Sequence, residues 1–126
     1  MSEWIVVRNP SRRGLLVARA RWCESFLCRL RGLMFRRPLP GDEALLLVEG
    51  RPGRLNTAIH MAFVFQSLGV AWLDEERKVV EAREALPWRW YAPRSPARYV
   101  LEGAPEILDR LAEGDRLVFE SDEARR

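Results

Sequence analysis

Apolar residues along this chain fall mostly in short runs separated by turn formers, a pattern that predicts strands more often than helices. Trp4 to Arg8 and Leu15 to Arg21 read as two strands of a hairpin, because the Asn9-Pro10-Ser11-Arg12-Arg13-Gly14 segment between them is dense in turn residues. Cys23, Phe26, Leu27 and Leu30 then recur at helical spacing, with Glu24, Ser25, Arg29 and Arg31 on the other side. This predicts a short amphipathic helix stopped by a left-handed Gly32, with Leu33 and Met34 buried against Leu27, Leu30, Val70 and Trp72. Arg29 and Arg31 would complement the carbonyl end of that helix, and Arg36 would be the arginine free to turn toward a pocket.

Ala44 to Val48 is a short unbroken apolar run, and Thr57 to Phe65 is a β-favouring segment that contains the only histidine, His60. Leu68 to Leu73 is apolar at almost every position, as expected of a central strand covered on both faces. A polar turn at Asp74-Glu75-Glu76-Arg77 leads into a half-exposed partner strand, Lys78 to Ala85. The stretch LPWRWYAPRSP, Leu86 to Pro96, holds three prolines and reads as an irregular aromatic loop. Arg98 to Glu102 resumes a strand, Pro105 to Glu113 a helix stopped by Gly114, and Arg116 to Glu120 a last strand. The predicted fold class is α+β: a curled, mainly antiparallel sheet or small β-barrel with two short helices.

The 126 residues suit a single domain, 1–126, with one core, and residues 121–126 are expected to form a disordered tail. Net charge is +3 and unevenly placed: Arg8 to Arg37 carries nine arginines against Glu24 alone. Such a face can bind nucleic acid weakly. Lys78 is the only lysine, however, so the arginine excess reflects general composition, and a solvated basic face is the preferred reading. No apolar stretch approaches the length that spans a bilayer and the N-terminal residues lack a signal-peptide pattern, so a soluble, cytoplasmic protein without a membrane partner is expected. Cys23 and Cys28, if both lie on the helix, are turned roughly 140° apart, which predicts two reduced thiols. With one histidine and no zinc spacing, neither metal nor cofactor is expected.

Three segments occur in order: RGLMFR at Arg31 to Arg36, IHMAFVFQSLGVAWLDEERKVV at Ile59 to Val80, and YVLE at Tyr99 to Glu102 followed by Gly114-Asp115. Together they resemble the bacterial and archaeal family known as domain of unknown function 192, from about Leu15 to Phe119. The resemblance implies a small barrel-like or curled β fold with short helices and no established reaction. It also implies a proline and an acid in a P-[LI]-D triplet where this chain has Ser67-Leu68-Gly69.

No complete catalytic set is visible. His60 would have to serve any Cys-His or Ser-His chemistry, with Cys23, Cys28 or Ser67 as its partner, and on an apolar strand it reads more readily as a structural residue. The aromatic loop offers more: Trp88 and Trp90 share one side of an extended segment, with Arg89 and Tyr91 on the other. Aromatic faces beside arginine stack on ligands, whereas tryptophans on irregular segments also serve as lids over a core. The expected function is therefore a non-enzymatic binding module for a small polar ligand or protein partner, using Arg36, His60, Trp88, Arg89 and Trp90. The alternatives are a small hydrolase or transferase using His60, and weak nucleic-acid binding by the arginine-rich first third.

Overall fold

The computed structural model describes residues 3–34 and 39–121. Nine strands form along these residues: β1 (Glu3–Asn9), β2 (Leu15–Cys23), β3 (Glu43–Gly53), β4 (Ile59–His60), β5 (Leu68–Leu73), β6 (Val79–Ala85), β7 (Trp90–Tyr91), β8 (Ala97–Gly103) and β9 (Val118–Ser121). Seven make one sheet in the order β6-β5-β8-β3-β2-β1-β9, while β4 and β7 form a separate two-stranded ladder. All pairings in the large sheet are antiparallel except β2 with β3. A parallel neighbour cannot be reached by a tight turn, so the chain must cross from one end of the sheet to the other between Cys23 and Glu43. That crossover carries the one α-helix among the described residues, α1 (Phe26–Arg31), onto one face of the sheet. The second expected helix is a 3-10 turn, Pro105–Arg110.

The α+β reading holds, but the small barrel does not: the segments leading into the two edge strands meet at the isolated bridge Lys78 to Arg116 and through backbone bonds from Val79 to Asp115, Gly114 to Val79 and Leu117 to Arg77, and the ladder between β6 and β9 stays open. Among the other expectations, Thr57 to Phe65 is strand only at Ile59–His60, and the aromatic loop contains the short strand β7. Ser121, expected in the tail, pairs with Ile5; the rest of that tail, 122–126, lies outside the described residues.

Strand pleating sorts the core onto two faces. On one, Leu46, Ala71, Leu73 and Leu101 pack beneath Ile107 and Leu111 of the 3-10 turn region. On the other, Leu45, Leu47, Val70, Trp72 and Val100 are covered by Leu33, Ile59, Met61, Val64 and Tyr91. All six residues of β5 are buried, as its unbroken apolar run predicts. At the edge of the first core the fully buried Asn9 donates to the Arg110 carbonyl (3.0 Å) and to Asp115 (2.9 Å), while its own Oδ1 accepts from the Ser11 amide. Asp115 also accepts from Arg12 and the Ala112 amide. The Gly114-Asp115 motif is thus a structural knot that ties the last loop to the first hairpin.

Helix α1 departs from the sequence expectation. Ser25 caps its start by accepting from the Cys28 amide, and Gly32 ends it at φ +50°, as predicted. The apolar stripe faces outward, however: Leu27 is 73% and Leu30 54% exposed, and no α1 side chain is buried. What enters the core is Leu33, just past the Gly32 stop, with the half-buried Met34 beside the same cluster. We therefore expect Leu33→Ala to cost about 2 to 4 kcal/mol in urea denaturation, as core truncations do, and Met34→Ala distinctly less. Equal losses would place the plug at Met34 instead.

Candidate functional site

With no buried side chain of its own, α1 is held by ties at three points. Cys28 is disulfide-bonded to Cys23, contrary to the expectation of two reduced thiols. Cys23 closes β2 and Cys28 belongs to α1, so the chain bends at Glu24-Ser25 between them and the angular argument for a continuous helix does not apply. Arg29 reaches across to β3, donating to the Val48 carbonyl (3.3 Å) and pairing with Glu49 (3.0 Å). This role across the fold, beyond its place at the helix end, was not visible in the sequence. On the β4 side, His60 Nε2 lies 3.1 Å from the Leu30 carbonyl. A carbonyl only accepts, so this contact makes Nε2 the protonated nitrogen and leaves Nδ1 as the acceptor.

Between α1 and β4 opens a cleft of about 230 Å³, lined by Phe26, Arg29, Leu30, Glu49, Asn56, Thr57 and His60 over a floor of Leu47 and Val100. A smaller recess of about 40 Å³ lies beside it, sharing Arg29, Leu30, Leu47, Ala58 and His60. Leu33, Met61, Val64 and Leu68 supply its apolar lining, and Arg29, Arg31, His60 and Glu102 its charged and titratable one. Glu102 pairs in register with Val70 on β5 and Leu45 on β3, near the middle of the sheet. It is 4% exposed, and no hydrogen bond or ion pair reaches its carboxyl from the described residues. Burial pushes that carboxyl up to about 7 from an ordinary 4.5, since desolvation disfavours the charged form. The approach is close at Gly32, where a Cβ would sit 3.5 Å from Glu102 Oε1.

The site residues expected from sequence are partly brought together. His60 and Trp90 are direct partners in the β4–β7 ladder. Backbone bonds from Met61 to the Arg89 carbonyl (2.7 Å) and from Trp88 to the Met61 carbonyl (2.9 Å) extend that ladder by another step. Trp88 is 59% and Trp90 61% exposed, so neither acts as a lid over the core; the buried aromatic of this loop is Tyr91. Trp88 packs edge-on against Phe63 and Phe65, with ring centres 5.0 and 6.0 Å apart. Both Trp88 (φ +65°) and Phe63 (φ +59°) hold left-handed backbone conformations, which bulky side chains adopt only where surrounding structure imposes them. Arg89 is exposed, and Arg94, nearby in sequence, is committed to Glu81 and Glu113. Arg36 lies outside the described residues.

Glu102 is the residue that sequence reasoning missed. It stood in the YVLE motif as strand filler. The available signal was its phase: two positions after Val100, it falls on the same inward face, where a carboxylate is out of place.

A mixed seven-stranded sheet, with one face roofed by a crossover helix and a two-stranded ladder that leave a cleft between them, defines the structural class. The sequence family agrees with the motifs: residues 7–119 match DUF192, described as Uncharacterized ACR, and the chain belongs to that family. Among curated relatives, a UPF0127 protein of Thermococcus sibiricus is 36% identical over 119 residues, covering 93% of this chain and 76% of that protein. The UPF0127 protein PF1050 of Pyrococcus furiosus is 35% identical over 99 residues, covering 77% and 83%. The fold is similar to that of a crystal structure from Sinorhizobium meliloti 1021 described as a candidate transcription regulator, with TM-score 0.80, 22% identity and 94% of each chain covered. It is also similar to a protein of unknown function from Novosphingobium aromaticivorans, with TM-score 0.78, 20% identity and 93% and 84% covered. No helix among the described residues is long and apolar enough to cross a membrane.

Proposed function

We propose that this protein is a non-enzymatic binding module whose small polar ligand seats in the cleft between α1 and β4, held at the rim by exposed aromatic and aliphatic side chains. The observation that carries this reading is the composition of that roof. Phe26 and Leu30 of α1 line the cleft and are exposed, as are Leu27 beside them and Phe63, Phe65, Trp88 and Trp90 around the ladder whose His60 lines it. Large apolar side chains grouped in this way mark interaction sites more often than ordinary surface. The polar groups inside, Asn56, Thr57, His60 and the Arg29–Glu49 pair, supply orientation.

Two features weigh against the alternatives. Cys23 and Cys28 are joined in a disulfide, and Ser67 makes no hydrogen bond to His60, so His60 lacks a nucleophile partner among the described residues. Much of the arginine-rich first third is engaged internally: Arg8 with Glu120, Arg12 with Asp115, Arg29 with Glu49, and Arg19 and Arg21 over the Trp4 ring.

The test is a titration of intrinsic tryptophan fluorescence with monosaccharides, nucleoside monophosphates and short peptides. A saturable response in one class is expected, weakened at least tenfold in Trp90→Ala, a loss of about 1.4 kcal/mol in binding, with the urea midpoint almost unchanged. Silence in every class would remove the reading.

A further inference from the structure

Glu102 is a carboxyl that the fold takes out of water without giving it a partner. Buried ionisable groups are almost always paired, because an unpaired charge in an apolar setting is costly. The two arginines lining the recess do not serve it: the Arg29 guanidinium is spent on Glu49 and the Val48 carbonyl, and Arg31, exposed on α1, makes no ion pair with Glu102. The recess beside Glu102 adjoins the larger cleft, with Arg29, Leu30, Leu47, Ala58 and His60 lining both.

We propose that the recess is an amine-binding site, in which the Glu102 carboxylate receives a primary ammonium group carried on a short aliphatic chain. The inference rests on the binding reading above and names the ligand class for that cleft. Three considerations select this chemistry. A primary ammonium brings a full counter-charge and three donors, whereas a hydroxyl brings one donor and no charge. Leu33, Met61, Val64 and Leu68 on one side of the recess suit the methylenes behind an ammonium. The size also fits: about 40 Å³ holds a few heavy atoms, since one water needs roughly 10 to 15 Å³ on the same measure. The remainder of the ligand would extend into the 230 Å³ cleft.

Among the described residues, the charged and titratable groups around the recess are Arg29 and Arg31 from α1, His60 from β4 and Glu102 from β8. The neighbouring strands face Glu102 with Leu45 and Val70 only. Ammonium binding needs the carboxylate ionised. With that group titrating near 7, its ionised fraction rises about tenfold between pH 6 and pH 8, and affinity should rise with it.

Calorimetric titration of the full chain with n-butylammonium chloride and with 1-butanol, at pH 6 and pH 8, tests this. Saturable butylammonium binding is expected, about tenfold tighter at pH 8 than at pH 6, with no saturable binding of butanol. Glu102→Gln should abolish it. Because His60 lines both cavities, His60→Gln is read by its pH ratio and not by its affinity, and that ratio should be retained. The assignment is overturned by an absence of butylammonium binding, by binding that is independent of pH or survives Glu102→Gln, or by butanol binding preferentially at low pH, which would make the neutral acid a donor. The wild-type pH profile and the amine–alcohol contrast stand even if the variant folds poorly. A ligand from the fluorescence panel that is sensitive to Trp90→Ala but indifferent to Glu102→Gln would leave the binding reading intact and remove the amine.

Discussion

Replacing Glu102 by glutamine should leave stability near the parental value at pH 4.5 and raise it by about 3 kcal/mol at pH 8. In the folded protein burial lifts this carboxyl from 4.5 to about 7. The folded state therefore holds its proton more tightly than the unfolded chain does. The associated stability is fully present below about 4.5, falls as pH rises, and is lost once pH has passed through about 7. A gap of roughly 2.5 units at about 1.36 kcal/mol per unit gives the expected size. Glutamine keeps the shape and has no charge to strand, so the variant should lack the slope. Asp115 does not confuse the measurement. Its carboxyl is held below an ordinary 3.8 by the Asn9 hydrogen bond, with further help from Arg12 and the Ala112 amide. The stability it contributes is present above that value and is lost only as pH falls through its lower folded one. Urea denaturation at pH 4.5, 6 and 8 separates the two. A parental stability that is flat from pH 5 to pH 8 would mean that Glu102 has found a partner or water. Butylammonium added at pH 8 should restore stability to the parent but not to the variant, which links this prediction to the proposed site.

Much of the sheet was legible because burial imposes period-2 and unbroken apolar patterns directly on sequence. The Leu68–Leu73 run announced a strand buried on both faces, though β5 lies one strand in from the edge, and the turn formers after Asn9 announced the first hairpin. Gly32 announced the helix stop, since few other residues tolerate its φ. What stayed hidden depends on how distant segments meet. The parallel β2–β3 pair follows from a crossover whose route no local pattern encodes. The Cys23–Cys28 bridge was obscured by extending helical periodicity one turn too far, into the end of β2. Leu27 and Leu30 have helical spacing, but spacing does not say which side of a short helix meets the sheet; here the disulfide, Arg29 and His60 fix the opposite side inward. Of the expected site residues, His60 and Trp90 meet only because β4 and β7, thirty residues apart, pair in register.

The position that departs from the family triplet leads to the other large effect. Introducing the acid, Gly69→Asp, should cost about 3 kcal/mol or more. Gly69 pairs with Gly103 on β8, and the chain leaving β8 folds back over both glycines as the 3-10 turn Pro105–Arg110. A Cβ at residue 69 would lie 2.8 Å from the Ala104 carbonyl oxygen and 2.9 Å from Ile107 Cγ1. Neither a backbone carbonyl nor a fully buried isoleucine yields easily. Gly69→Ala should already lose about 1 to 3 kcal/mol from overpacking alone, and the carboxylate adds desolvation beside an oxygen that can only accept. The new acid would not reach the recess: Leu68 and Val70 face it, whereas residue 69 points to the opposite core beneath Ile107. Butylammonium binding by the folded fraction of Gly69→Asp should thus keep its dependence on Glu102. Urea denaturation of the two variants separates the steric from the electrostatic part. If Gly69→Asp were as stable as the parent, the 3-10 turn would have to stand farther from β5 than it does here, leaving room for a carboxylate between them.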